Sequence, residues 1–378
     1  MARGNGEGSI YPHKKGGKKV GYRAAYFVHT ADGPKRRYVS GKSREDVAAK
    51  LTEALGQRAS GLIFDAGTLT VGEYLERWLK DSVKGTVRHG TYEVHRHMIE
   101  PHLIPALGRL KLKDLNPVHV RGLYREKLDS GLSAATVRKI HSVLRKALKQ
   151  AVMDGLIPRN VCEAVKPPKV ERKEITPLDR EQARILLEAA GGDRLAALFT
   201  LAVHTGMREG ELLGLKWDDV DLERGVLRLS RALVREGGRV TLGDLKTAKS
   251  RRQVRLTGAA VESLQAHLGR QLEAIESMGS LHQPGGLVFA TESGTLINPS
   301  NLRNRSFKPL LKKAGLPDIC FHDLRHTCAT LLLSQGTHPK LVQELLGHAT
   351  IAMTLDTYSH FLPSMGDQTV KAMEAALA

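Results

Sequence analysis

The spacing of apolar residues changes character several times along this chain, and each change predicts a different element. The run 22–28, rich in aromatic and apolar residues, predicts a strand; Ala31 to Pro34 predict a turn, and 35–39 its hairpin partner. Ser43 and the acidic pair after it predict the start of a helix reaching about Gln57, with Val47, Leu51 and Leu55 on one face. Residues 61–67 read as a linker. Thr70 then caps a helix carrying Tyr74, Leu75, Trp78 and Leu79 at three-to-four spacing. Helices follow over 89–101, over 116–130 with Asn116 as cap and Pro117 in first position, and over 133–154. In the last of these Val137, Ile140, Val143, Leu144, Leu148 and Val152 form the apolar stripe, with Arg138, Lys139 and Arg145 off it. The charged, proline-rich run 166–177 buries almost nothing and is the clearest boundary. Beyond it the pattern predicts helices over 179–190 and 194–204, then strands over 226–234, 239–246 and 253–256. Further helices are predicted over 258–277, 300–314, 322–334, 338–346, 350–360 and 366–377. No internal repeat is visible. The expected organisation is multidomain: a small β-sheet plus helix over 1–60, an all-α domain over 68–168, and a mainly α domain with a small antiparallel sheet over 174–378.

Composition adds a partner. Lys plus Arg number 58 against 40 for Asp plus Glu, a net charge of +18 in 378 residues. The first 58 residues alone hold thirteen Lys/Arg and five Asp/Glu. So basic a chain points to a polyanion, although a generic basic surface has the same composition. Aromatic residues make up only 4%, which argues against a single-strand binder built on stacking platforms. Lys35, Arg36 and Arg37 in the hairpin, with Arg138, Lys139 and Arg145 in the helical domain, are the candidate DNA contacts. Cys162, Cys320 and Cys328 are too few for a disulfide framework, which suits a reducing compartment. The basic N-terminus leads into no apolar segment, and no apolar run is long enough to span a bilayer. A cytoplasmic protein without a membrane association is expected.

The candidate chemistry lies in the last third. His322 and Arg325 are three apart and share a helical face, and His326 lies one turn beyond His322. Taken alone, such a pair is a common surface feature. Cys320, His322, His326 and Cys328 match none of the usual zinc spacings, so no metal is expected. Residues 342–357 could also form a helix-turn-helix reader, with Tyr358 in its core or on a phosphate.

The combination resembles the tyrosine recombinase (phage integrase) family. That family carries an arginine in a Thr-Gly-x-Arg-x-x-Glu-Leu turn, a strand lysine, a His-x-x-Arg, a Leu-Gly-His and a tyrosine nine or ten residues later. The matching positions here are Arg208, Lys246, His322, Arg325, His348 and Tyr358, in that order, with Glu211 at the family's acidic position. The resemblance covers 174–362 most firmly, then 70–168, and more weakly 1–60, which looks like the arm-type DNA-binding domain of lambda-like integrases. It implies the tyrosine recombinase fold and a site-specific recombinase that forms a 3′-phosphotyrosine while integrating or excising a mobile element. A homotetramer acting on core and arm sites of duplex DNA, without cofactor, is implied as well. Arginines at 208 and 325 would fork onto the non-bridging phosphate oxygens, and His348 would add a donor. A phenol with a reference pKa of about 10 needs a base, for which His322 is the family candidate. Lys246 would protonate the leaving 5′ oxygen, with Lys249 in the same turn as an alternative. Lys249, Arg251 and Arg252 are expected phosphate contacts. A Xer-like dimer resolvase, a topoisomerase-like enzyme and a non-catalytic helix-turn-helix regulator stand as alternatives. The need for a directionality factor or a DNA-bending host protein stays open.

Overall fold

Three antiparallel strands, Ser9–Lys15, Lys18–Thr30 and Gly33–Gly41, open the chain in the computed structural model. It describes residues 9–16, 18–30, 33–59, 68–171, 176–245, 251–358 and 373–377. The hairpin of the second and third strands pairs Tyr22 with Gly41 and Phe27 with Arg36. The first strand was not foreseen, because Pro12 and the lysines around it mask its alternation. Helix Arg44–Ala59, whose first turn is capped by the Ser43 hydroxyl accepting from the Asp46 N–H, lies on one sheet face. Ala24, Val47 and Leu51 form the small core between them.

The chain divides into two units, Met1–Arg172 and Lys173–Ala378. In the helical part of the first, Thr70 and Glu73 close a reciprocal capping box at the start of Val71–Arg77. The coil then continues through a π turn, Trp78–Val83. Helix His89–Met98 likewise runs past its expected end at 101, through a π turn Ile99–Leu103, into Ile104–Leu107. Pro101 sits in that π turn, where the wider ladder tolerates its missing N–H. Helix Pro117–Asp129 starts at its expected cap, Asn116, and Ala134–Met153 starts after Ser133, whose hydroxyl accepts from the Thr136 N–H. The stripe from Val137 to Leu148 is buried, and the Tyr74 hydroxyl donates to the Ala147 carbonyl at 2.6 Å, tying the first helix to the last.

The second unit is built around helix Ala196–Thr205, which is apolar on all sides and therefore central. Helices Arg180–Ala190, Gly258–Met278 and Asp323–Ser334 pack around the same core. The strand expected over 226–234 is two strands in two sheets. Val226–Leu229 pairs between Val220–Asp221 and Arg252–Arg255, whereas Arg231–Glu236 turns away to pair with Arg239–Asp244. Ser230 makes the break, its hydroxyl donating to Asp219 Oδ1 at 3.1 Å. Helices Pro339–Leu346 and Ile351–Tyr358 follow. Of the predicted last helix, 373–377 is helical and exposed; the remainder lies outside the described residues. No described helix is long and apolar enough to cross a membrane.

Candidate active site

Two helices of the second unit stop on left-handed glycines, Gly206 (φ 60°) after Ala196–Thr205 and Gly347 (φ 67°) after Pro339–Leu346. The ends of both helices carry carbonyls with no partner in the helix, and Arg325 satisfies one at each. Its Nη1 donates to the Gly206 carbonyl and its Nη2 to the Leu346 carbonyl, both at 2.7 Å. A guanidinium at two helix C-termini sits in favourable dipole fields, which helps to explain why a side chain only 2% exposed stays charged. Burial, with the Arg208 charge adding to it, lowers Arg325 to about 10, still protonated at neutral pH. Gly206→Ala should test this seat. A Cβ there would meet Leu346 Cδ2 at 2.5 Å, on a backbone that costs a non-glycine residue about 1–2 kcal/mol. The variant is expected to melt several degrees lower and to lose activity beyond its loss of stability.

Glu211 is the hub of the cluster. It is 2% exposed and receives Arg208 on one side: the Arg208 N–H at 3.0 Å and Nη1 at 2.9 Å. Arg252 approaches from the other side, Nη2 at 3.0 Å and Nη1 at 3.3 Å, while its Nε donates to the Leu345 carbonyl at 2.7 Å. Burial pushes the Glu211 carboxyl up, but Arg252 and then Arg208 outweigh it and hold the group below its ordinary range. Arg252 therefore corrects an expectation. It was to touch phosphate, and instead its side chain is 8% exposed and bound to Glu211. Arg251, just before the strand, is the exposed one of the pair. Arg208 remains 40% exposed and keeps donors free of Glu211.

Helix Asp323–Ser334 also presents His326, and here the structure places a residue that the sequence motif leaves out. The Tyr358 hydroxyl lies 2.6 Å from His326 Nδ1. His322, expected as the base, stands edge-on to the His326 ring, their centroids 5.1 Å apart. The i, i+4 spacing of the two histidines was the available signal. Tyr358 is 1% exposed and packs with Ala329, Leu333, Val342 and Leu346. Burial raises its phenol to about 12 despite the nearby Arg325. Desolvation, then Arg325 and Arg208, lower His322. The same causes in the same order bring His348 to about 4, and its Nδ1 lies 2.8 Å from the buried Thr354 hydroxyl. Arg208, Arg325, His322, His348 and Tyr358 thus gather in one cluster; Lys246 and Lys249 lie outside the described residues. Arg208 and Arg325, with the imidazoles of His322 and His348 and the Tyr358 phenol beside them, make an electropositive seat that can receive an oxyanion.

The other basic candidates lie elsewhere. Arg138, Lys139 and Arg145 are exposed along Ala134–Met153, Arg145 3.6 Å from Glu163. In the N-terminal sheet the two-residue period divides the expected trio. Arg36 lies on the face away from the helix, near the rings of Tyr38 (5.6 Å) and Phe27 (5.9 Å). Arg37 occupies a position of the opposite face; the Lys35 side chain lies outside the described residues. Arg23, not singled out from the sequence, shares the free face with Arg36 and stacks on Tyr38 at 4.1 Å.

Comparison with known proteins brings in independent information. The profile of the Phage integrase family matches residues 177–364, and that of the Phage integrase N-terminal SAM-like domain matches 70–128. A XerC-like tyrosine recombinase of Caldanaerobacter subterraneus subsp. tengcongensis is 33% identical over 95% of this chain and 97% of its own. Among solved structures, the Tn1549 transposon integrase in complex with a circular intermediate DNA superposes with a TM-score of 0.69 at 22% identity. That match covers 82% of this chain and all of the other. A lambda integrase tetramer bound to a Holliday junction gives 0.59 at 21% identity, covering 90% and 95%. At these identities the two structures speak for a shared fold.

Proposed function

The chain belongs to the phage integrase family and is a tyrosine recombinase, a site-specific integrase that cleaves and rejoins DNA strands, and on that premise we propose that Tyr358 is its nucleophile. Arg208 and Arg325 bind the non-bridging oxygens of the phosphate under attack, with permanently charged, forked donors where negative charge accumulates. His322 and His348 add donors; the Thr354 hydroxyl on His348 Nδ1 leaves Nε2 to face the phosphate. Glu211 orients Arg208. Lys246 protonates the departing 5′ oxygen, an assignment supported by its motif position. The product is a 3′-phosphotyrosine and a free 5′ hydroxyl. The energy of the phosphodiester is kept in the new ester, so no nucleotide is consumed. The observation that carries this reading is the Tyr358 phenol hydrogen-bonded to the helix that holds Arg325.

The substrate is duplex DNA, supported by the net charge of +18 and by structural relatives solved on DNA. Residues 174–378 act as the catalytic domain and 68–168 as the core-site domain. Residues 1–60 act as an arm-binding module, whose Arg23 and Arg36 face the duplex. Four protomers on two duplexes exchange strands, as the fold of the lambda tetramer suggests, and the enzyme works in the cytoplasm where its DNA lies. A duplex nicked beside the cut site tests the reading by trapping a detergent-stable protein–DNA adduct, which a helix-turn-helix regulator cannot form. Binding should weaken with salt at a log–log slope of about −0.9 per phosphate neutralised. Arg145→Ala should reduce that slope by about one, measured by fluorescence anisotropy across a salt series.

A further inference from the structure

We propose that His326 takes the proton from Tyr358 during strand cleavage, a catalytic role outside the six residues assigned above and resting on Tyr358 as nucleophile. Among the described residues the phenol oxygen has His326 Nδ1 as its hydrogen-bond partner, at 2.6 Å. In the tautomer the proposal requires, the phenol O–H donates to Nδ1, which carries the lone pair, and the imidazole hydrogen is on Nε2. That is the arrangement a general base needs before reaction. The His326 ring touches both others, its centroid 5.5 Å from that of the Tyr358 ring and 5.1 Å from that of His322, and it is His326 that makes the hydrogen bond.

The surroundings keep His326 unprotonated and ready to accept. Burial, then the neighbouring His322, push it down to about 4, with Arg325 adding to the effect and Asp323 opposing it. Arg325 and Asp323 lie on its own helix and His322 at that helix's N-cap; Tyr358 and His348 face it from the segments that follow. A phosphodiester bound between Arg208 and Arg325 brings negative charge to this site. It offsets the positive charge that adds to the effect of burial on His326, so the imidazole becomes a stronger base when DNA is in place.

The step balances as follows. As the Tyr358 oxygen bonds to phosphorus, its O–H bond breaks and the proton passes to His326 Nδ1, giving an imidazolium. The P–O5′ bond breaks, and the 5′ oxygen takes a proton from the general acid, assigned above to Lys246. On rejoining, the 5′ hydroxyl attacks the phosphotyrosine and returns its proton to that acid. The phenolate leaves and recovers its own proton from His326.

His326→Asn supplies the test. The amide oxygen can accept the phenol's hydrogen bond but cannot hold its proton. On the nicked duplex, with melting and DNA affinity close to wild type, adduct formation should slow by about 100-fold or more. Replacing Tyr358 of this variant by 3,5-difluorotyrosine, a more acidic phenol, should recover tenfold or more of the rate, while the same replacement in wild type should change it little. A variant that reacts as fast as wild type, or faster, overturns the proposal and makes the contact a mere restraint. A slow variant indifferent to fluorination overturns it as well. His326→Gln is judged by the same criteria if the asparagine variant melts early. Failure of the nucleophile assignment would show separately, as adduct formation by Tyr358→Phe on the same duplex.

Discussion

Tyr358→Phe should bind the recombination site as tightly as the wild-type chain and form no covalent adduct with it, a loss of at least about 10⁴-fold in cleavage. The substitution removes one oxygen and leaves the ring in its cluster with Ala329, Leu333, Val342 and Leu346. The fold loses one hydrogen bond and leaves His326 Nδ1 unpaired, a cost of about 1–3 kcal/mol. Stability can absorb that; chemistry cannot, because no other atom in the cluster can form the phosphotyrosine ester. Gel shift measures the binding and denaturing electrophoresis on a nicked duplex measures the adduct. An adduct of wild-type yield from the variant would move the nucleophile to another residue and dismiss the proposed site.

Glu211→Gln should be the most damaging single change to the site's framework. The side chains are nearly the same size, so the effect is one of charge. With the carboxylate gone, Arg252 loses its buried ion pair with Glu211 and Arg208 loses its anchor. Removing one partner of a buried ion pair costs about 3–5 kcal/mol. For a unit of this size that lowers the melting temperature by on the order of 10 °C. Because Glu211 is held below its ordinary pKa when folded, its contribution is complete above the unfolded-state value. It fades as pH falls through the lower folded one. The gap between wild type and variant should therefore shrink on acidification, which thermal melts at several pH values would show. Cleavage should fall further than stability does, since Arg208 would no longer be aimed. Melting unchanged at neutral pH would mean that the Glu211 network is not what holds these arginines.

Several features were legible in the chain because they are local. Thr70, Asn116, Ser133 and Asp179 mark helix starts by their own hydrogen bonds to the next turn, and each is observed as a cap. The stripe from Val137 to Leu148 announces a buried face through its period alone. Spacing also put His322, Arg325 and His326 on neighbouring positions of one helix. Other features depend on what the folded chain brings alongside. Nothing near Arg252 in sequence says that Glu211, 41 positions earlier, will claim it. The break at Ser230 needed Asp219 from a different segment.

The sequence by itself determined most of the helices, the basic character of the chain, and the set of arginines, histidines and tyrosine from which a phosphate site could be assembled. Each of these depends on side-chain type and on separations of a few residues. Tertiary structure alone decided which arginine is buried as framework and which faces outward. It also decided that two glycine-terminated helices would seat Arg325 between their carbonyls, and that the phenol would meet His326 rather than His322. Those outcomes depend on distances between segments dozens of residues apart, set by how whole helices pack, and no local pattern encodes them.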